Sequence, residues 1–537
     1  MISQICAFTG SRLPVLFVFV LAAAIAACSP AAPPGPYLNR GNGGEPKSLD
    51  PHFIDGQWES NIEGDLMMGL ATEDAAGRPI PGAATSWEIS ADGKTWTFHI
   101  RNHTWSDGVP VTAQDFVTAW RRLLDPKTAA PYAYNMWVVK NAKAVSDGEL
   151  PSTALGVSAP NSKTLIVQLE HPAAYLPELL MHQTAFPIPR HLYQKLGNAW
   201  ARQQNIVSNG AYMVKDWVPN DHVTLVKNPR FYDAAHVRID TVRYFNTSDA
   251  QSALTEFRGH QLDTQDPYPA TAIDWLKTHI ARDIRSVPYL GVDYIAMNQM
   301  RKPFQDRRLR EAISLAYNRE AIVYKIRRIG EVPAYSMIPP GVANYPGVAT
   351  LSFKSLPYAA RLAKAKALMQ QMGYGPQHRL HIVYAISTNP DQRRMAAVIQ
   401  QMLSQIFIDT TISSVEIAHH LQRMQQHDFD IANASWIADF NDASNFLDLL
   451  RSGAENNYGG YSNPAFDALM DKAQHTVDLK QRGEIMNRAE QMALDDSAWM
   501  PCYFLLTMDI VQPWVKGWVP NLRGFNRTRW LSIEGRP

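Results

Sequence analysis

From Tyr37 to its C-terminus the chain offers no place to cut it. Segments of alternating apolar residues and segments with apolar residues three and four apart follow one another throughout. Neither a long low-complexity linker nor an internal repeat separates them. Strands interleaved with helices over such a length predict α/β domains. The 537 residues exceed what one hydrophobic core usually serves, so two or three domains are expected. Without linkers, any boundary must be a place where the chain crosses from one body to another and back.

The segment opening "ATSWEISADGKTWTFHIRNHTWSDG" shows how local the signals are. Two alternating strands, around 86–90 and 95–101, flank Asp92-Gly93, a hairpin turn pair. Asp107-Gly108 marks another turn. Thr112 then stands as a helix N-cap with Asp115 in the first turn, and Phe116, Trp120, Leu123 and Leu124 follow at helical spacing until Asp125-Pro126. Further helices are predicted at 307–327, 358–372, 392–406, 464–473 and 481–494.

One strand is peculiar. "DFDIANASWIADFNDASNF" begins at Asp428 and is apolar enough for a buried strand, yet carries the acid Asp439 near its end. With a period of two, Ala432, Ala434, Trp436, Ala438 and Phe440 point one way, as plain core. Ile431, Asn433, Ser435, Ile437 and Asp439 point the other, a row with small polar groups that ends in a carboxylate. That face suits a ligand better than it suits packing.

The N-terminus reads as a processing signal. Arg12 precedes "LPVLFVFVLAAAIAAC", too short and alanine-rich for a stable membrane span. Ile25-Ala26-Ala27-Cys28 resembles the lipobox of bacterial lipoproteins, which makes 1–27 a signal peptide and Cys28 the lipidated residue; an ordinary cleavage nearby, with Cys28 incidental, is the alternative. "SPAAPPGP" continues residues 28–36 as a stiff tether. An exported chain of this kind keeps only Cys28 and Cys502, so no internal disulfide is expected.

The function classes narrow by exclusion. A formal net charge of +1 gives no basic excess of the kind nucleic-acid binders carry. There is no nucleophile elbow, zinc-protease helix, Cys-x-x-Cys pair or phosphate-cradling glycine loop. His419-His420 are adjacent and diverge on any regular element, so neither a metal nor any other cofactor is expected. Acid pairs such as Asp439/Asp442 or Asp495/Asp496 are the only hint of hydrolytic chemistry.

Several blocks together resemble a known family. "GNGGEPKSLDPH", "WTFHIRNHTWSDGVPVTAQDF", "NIVSNGAYMVKDWV", "KPFQDRRLREAISLAYNREAI", "PAYSMIPP", "SWIADFND" and "YSNPAFDALMDKAQ" are similar, in order, to the oligopeptide-binding proteins of bacterial ABC transporters. The resemblance implies an α/β, type II periplasmic-binding-protein-like clamshell with two main lobes and an inserted third domain. Lobe I would comprise 37–67, 189–290 and 508–537, the inserted domain 68–188, and lobe III 291–507. It also implies a monomeric, non-enzymatic periplasmic subunit, lipid-anchored through Cys28, that captures oligopeptides and delivers them to permease subunits in the membrane. Muropeptides or signalling peptides are alternative ligands, and an exported hydrolase is the alternative class.

The resemblance also assigns residues. The acid matching Asp439 receives the peptide's α-ammonium, and the strand from Asn433 through Ser435 and Trp436 to Ile437 pairs with the peptide backbone. Trp436 is either core or a cover over a ligand side chain. Asp55 and Gln57 would line the cleft, and Tyr134 or Asn135 would supply the inserted domain's contact. Where enteric relatives have pocket arginines, this sequence has Asn433 and Met424, with Arg423 one residue away. A family histidine is replaced by Gln392, and a pocket tryptophan by Ile417. Amine capture is thus retained while carboxylate capture is remodelled, with Arg393, Arg394 and Arg423 as substitutes or merely solvated charges.

Overall fold

The computed structural model describes residues 35–54 and 56–537. The signal segment, Cys28, most of the tether and Asp55 lie outside the described residues. No described helix is long and apolar enough to cross a membrane.

The chain enters with β1 (Tyr37–Gly41) and α1 (Gln57–Leu66), then departs to build an antiparallel sheet. Its strands β2 (Ala84–Ile89), β3 (Thr95–Ile100), β4 (Val157–Asn161) and β5 (Thr164–Gln168) lie in the order β2-β3-β5-β4. Between β3 and β4 runs α2 (Ala113–Leu123), closed at its start by a reciprocal Thr112/Asp115 cap, as its sequence predicts. The chain returns with β6 (Tyr212–Val218), β7 (His222–Lys227), β8 (Thr241–Phe245) and β9 (Thr264–Gln265) beside β1.

A second six-stranded sheet follows. It holds β10 (Pro288–Met297), β11 (Val332–Pro333), β12 (Leu380–Ser387), β13 (Ile408–Val415), β14 (Ile431–Ile437) and β15 (Met500–Leu506), in the order β11-β15-β10-β14-β12-β13. Around it pack α3 (Arg307–Ala316), α4 (Tyr358–Gln371), α5 (Pro390–Ser404), α6 (Ile417–Gln425), α7 (Pro464–Gln474) and α8 (Leu479–Asp495). Last, β16 (Ile510–Val511) rejoins the first sheet, completing β16-β9-β1-β8-β7-β6. The chain therefore passes twice between the six-stranded sheets, after β9 and after β15.

The predicted helix over 307–327 is interrupted. It ends at Ala316, and Asn318 then caps a fresh start by accepting from the Ala321 N–H at 3.0 Å, leading into a π-helical turn over Ile322–Arg327. The residues are helix formers; the interruption comes from a side chain that competes for backbone donors.

Burial divides the molecule differently from the sheets. One core surrounds the second six-stranded sheet and includes Val292, Tyr294, Ile431 and Trp499. A second runs without interruption from Leu38 of β1 through Leu66 of α1 to Trp96, Phe116 and Trp120 of the inserted region, and a third, smaller one gathers Leu254, Phe257, Leu276 and Ile510. The inserted sheet and the first six-stranded sheet thus share one hydrophobic interior. A buried ion pair strengthens that junction, with both Arg122 Nη atoms donating to the Asp50 carboxylate at 2.9 and 2.7 Å. Tyr37, near the start of the described residues, meets the C-terminal segment on the same body, where the Arg536 guanidinium donates to the Tyr37 carbonyl at 2.8 Å and stacks on its ring.

Candidate functional site

The peculiar strand is β14, and it is only half covered. Along its whole length it pairs antiparallel with β10, from Gly291↔Ile437 to Met297↔Ile431. On its other side β12 pairs with it only at Ile431 and Ala432, then diverges. The ladder's parity is fixed by the Ala438 N–H to Leu290 carbonyl bond (2.8 Å) and the Asn298 N–H to Asp430 carbonyl bond (3.0 Å). Alternate residues of an antiparallel pair turn their backbone groups to the same side. The N–H and C=O groups of Asn433, Ser435 and Ile437 therefore face the uncovered edge. His420 takes one of them, its Nε2 lying 2.8 Å from the Asn433 carbonyl. The remainder form a short open β-edge.

Asp439 stands at the end of that edge. Its Oδ2 is inaccessible and has no hydrogen-bond partner. Burial pushes its carboxyl up to about 7, while Asn445 and the Arg523 charge act in the opposite direction. Arg523 does not pair with the carboxylate; its Nη2 donates to the Asp439 backbone carbonyl at 3.4 Å. Asn445 holds the local backbone, its Oδ1 accepting from Trp436 Nε1 at 2.8 Å and from the Asp439 N–H at 3.3 Å. Across the cleft, Tyr175 stacks on Phe440 at 4.7 Å. A buried carboxylate oxygen without a donor costs free energy that a cation from outside can recover.

Against the open edge lies a cavity of about 490 Å³, walled on one side by Tyr134 of the inserted region and on the other by residues of the second sheet. It brings together Tyr134, Gln392, Ile417, Met424, Asn433, Ser435 and Trp436. Trp436, read as either core or a cover over a ligand side chain, is half-buried and lines the cavity, its indole donating to Asn445 at the strand's end. Ile437 is 45% exposed at the edge itself. Gln392, in the first turn of α5, accepts from the Ser387 N–H and hydroxyl.

Other expected residues stand apart. Asn135 is buried off the cavity, and Gln57, at the start of α1, accepts from the Tyr289 hydroxyl at 3.4 Å. The three arginines weighed as carboxylate partners do not line it either. Arg423 donates to Ser413 Oγ and the Asp428 carbonyl, Arg393 to Ser414 Oγ, and Arg394 pairs with Asp391. Asp442, half of a supposed acid pair with Asp439, is held by Arg482 at 2.6 Å.

Sequence reasoning missed what lies beneath the polar row. Asn433 Nδ2 donates to both Asp293 carboxylate oxygens at 3.2 Å and Ser435 Oγ to one of them at 3.0 Å. Asp293 sits on β10, opposite Ser435. These side chains serve an internal acid, so what the open strand presents to the cleft is mainly backbone. Glu455, Asn456 and Tyr458, from the loop after residue 450, complete the far wall.

Comparison with known proteins gives consistent matches. The family model described as bacterial extracellular solute-binding proteins, family 5, matches residues 78–458. The periplasmic oligopeptide-binding protein OppA of Salmonella typhimurium is 37% identical over 90% of this chain and 89% of its own. Among solved structures, Haemophilus influenzae OppA in complex with RPPGFSPFR superposes with a TM-score of 0.84 at 30% identity, covering 94% of this chain and all of that one. The Escherichia coli murein tripeptide binding protein MppA also gives 0.84 at 30% identity, with 93% and 99% covered.

Proposed function

Since the chain belongs to the bacterial extracellular solute-binding proteins of family 5, with a type II binding-protein fold, we propose that it is the peptide-capturing subunit of an ABC importer. A free peptide carries an ammonium at one end and a row of backbone donors and acceptors behind it. Asp439 receives the ammonium through charge-assisted hydrogen bonds. The exposed groups of Ser435 and Ile437 pair with the extended backbone as an added strand. Such recognition is broad in side chain, because the backbone is common to all peptides. The subunit does no chemistry of its own. It works as a periplasmic monomer, held to a membrane through a lipid on Cys28, and hands its load to a permease. The division into lobe I, inserted domain and lobe III at the boundaries expected from the sequence belongs to the same proposal.

The observation that carries this reading is the unpartnered Oδ2 of Asp439 at the end of a half-covered strand. Incubating the purified protein with a mixed peptide pool, and weighing both pool and retained ligand, tests it. Intact free-amine peptides are expected to be retained and N-acetylated ones largely lost. Steady disappearance of the pool would indicate a hydrolase, and equal retention of acetylated peptides would remove Asp439 from its role.

The likeness to a murein tripeptide binding protein favours a second ligand class, cell-wall peptides. Mass spectrometry of whatever co-purifies separates the two: a diaminopimelate mass points to murein, an ordinary peptide ladder to general capture.

A further inference from the structure

Beneath β14 lies a second hollow, bounded by Asp293, Asn433, Gln392, Arg327 and Tyr503. Its volume is about 20 Å³, room for one water-sized group, and it shares Gln392 and Asn433 with the large cavity. Its charges do not balance. Asp293 and Glu331 are 6% and 3% exposed, and the Arg327 guanidinium is ion-paired to Glu331. Arg327 acts on Asp293 through space without a hydrogen bond. Asp293 is thus a buried carboxylate held by neutral donors only, Asn433 Nδ2 and Ser435 Oγ.

A second observation has the same sense. Asn433 is 8% exposed, and its Oδ1, on a side chain that lines the hollow, has no donor. A carboxylate and an orphaned acceptor around a water-sized space offer their oxygens to a small group that carries several N–H bonds and a positive charge. The larger cavity agrees in sign. Among the described residues that line it, Glu455 is the one Asp, Glu, Lys or Arg.

We infer that the hollow at Asp293 is a subsite for a slim cationic side chain of the bound peptide, a lysine-type ammonium, so that the cleft favours peptides carrying such a residue; this rests on the peptide-binding reading above. The methylene stem passes Gln392 and Asn433, and the ammonium donates to Asp293 and to Asn433 Oδ1. A guanidinium is wider and planar, and matches a one-water space less well.

Calorimetry with free-amine alanine tetrapeptides, in which one position at a time is lysine, Nε-acetyl-lysine or norleucine, tests the subsite. At one position lysine is expected to bind about tenfold tighter than either neutral residue, the scale of one hydrogen bond to a charged group. Asp293→Asn should shrink that lysine-over-norleucine preference to within about threefold, whatever it does to the affinity both peptides share. Equal binding of lysine and norleucine at every position overturns the subsite while leaving peptide capture intact. Failure of every peptide to bind overturns both. Should Asp293→Asn fold poorly, the wild-type comparison still decides. An Asp293-dependent rise in melting temperature with potassium or ammonium chloride over choline chloride, without a lysine preference, would mean an inorganic-cation site and also overturn the proposal.

Discussion

Asp439 titrates in an unusual range because burial lifts its carboxyl from 3.8 to about 7, and neither Asn445 nor the Arg523 charge offsets that. The unfolded chain ionises the same group near its ordinary value, so the sign follows. Its contribution to stability is fully present below the unfolded value and is lost as pH rises through about 7. Asp439→Asn keeps the shape and removes the charge. It should raise the stability of the ligand-free protein at about pH 8 by about 1–3 kcal/mol, while weakening free-amine peptides by at least about 1 kcal/mol. Melting curves and calorimetry read these opposite effects separately, and a loss in both would assign the residue to structure instead. Binding should also follow pH. Affinity for free-amine peptides is expected to climb from about pH 5 to about pH 7 as the carboxylate forms, then decline above about pH 8 as the peptide's α-amino group loses its proton. At the acid end, binding should release a proton, visible as a heat that changes with the buffer's own ionisation enthalpy; a flat profile would argue against the ammonium contact.

Among the elements, β14 combines full pairing on one side with an open edge on the other. Ile437→Pro deletes an N–H that faces the opening and not β10, and its side chain is already largely exposed. It should therefore weaken all peptides, acetylated or not, by about tenfold, with a melting temperature close to wild type. An unchanged affinity would mean that the edge is not used. The sequence made much of this element legible. The period of two located the strand, its polar row and the acid at its end, and Asp92-Gly93 and Thr112 announced the hairpin and helix that the structure contains. Contacts across long separations were illegible. Asn433 and Ser435 bond an acid some 140 residues earlier, and no local pattern encodes that pairing. Trp436 was left between core and cover because alternation does not encode its bond to Asn445, nine residues on. The break after Ala316 escaped because Asn318 fits a helix by spacing and ends one by chemistry.

For the whole molecule, the inserted sheet and the first sheet share one hydrophobic interior, so they are expected to move as one body against the second sheet's body about the two crossing segments. Hinge closure around a ligand is the common response of such proteins. Small-angle scattering should therefore show a smaller radius of gyration at saturating peptide, and an identical profile would contradict closure. The junction inside the larger body is expected to be stiff. Arg122→Ala strands Asp50, 3% exposed, without its guanidinium, and should cost about 3–5 kcal/mol, read as an earlier melting transition with peptide affinity per folded molecule retained. Loss of affinity without loss of stability would show instead that this ion pair shapes the cleft. Arg536 clasping Tyr37 has a practical corollary. Fluorophores hung beside Tyr37 and beside Arg536 would ride together and stay silent while the jaws shut. Shifting one of them to α7 turns that silence into a signal.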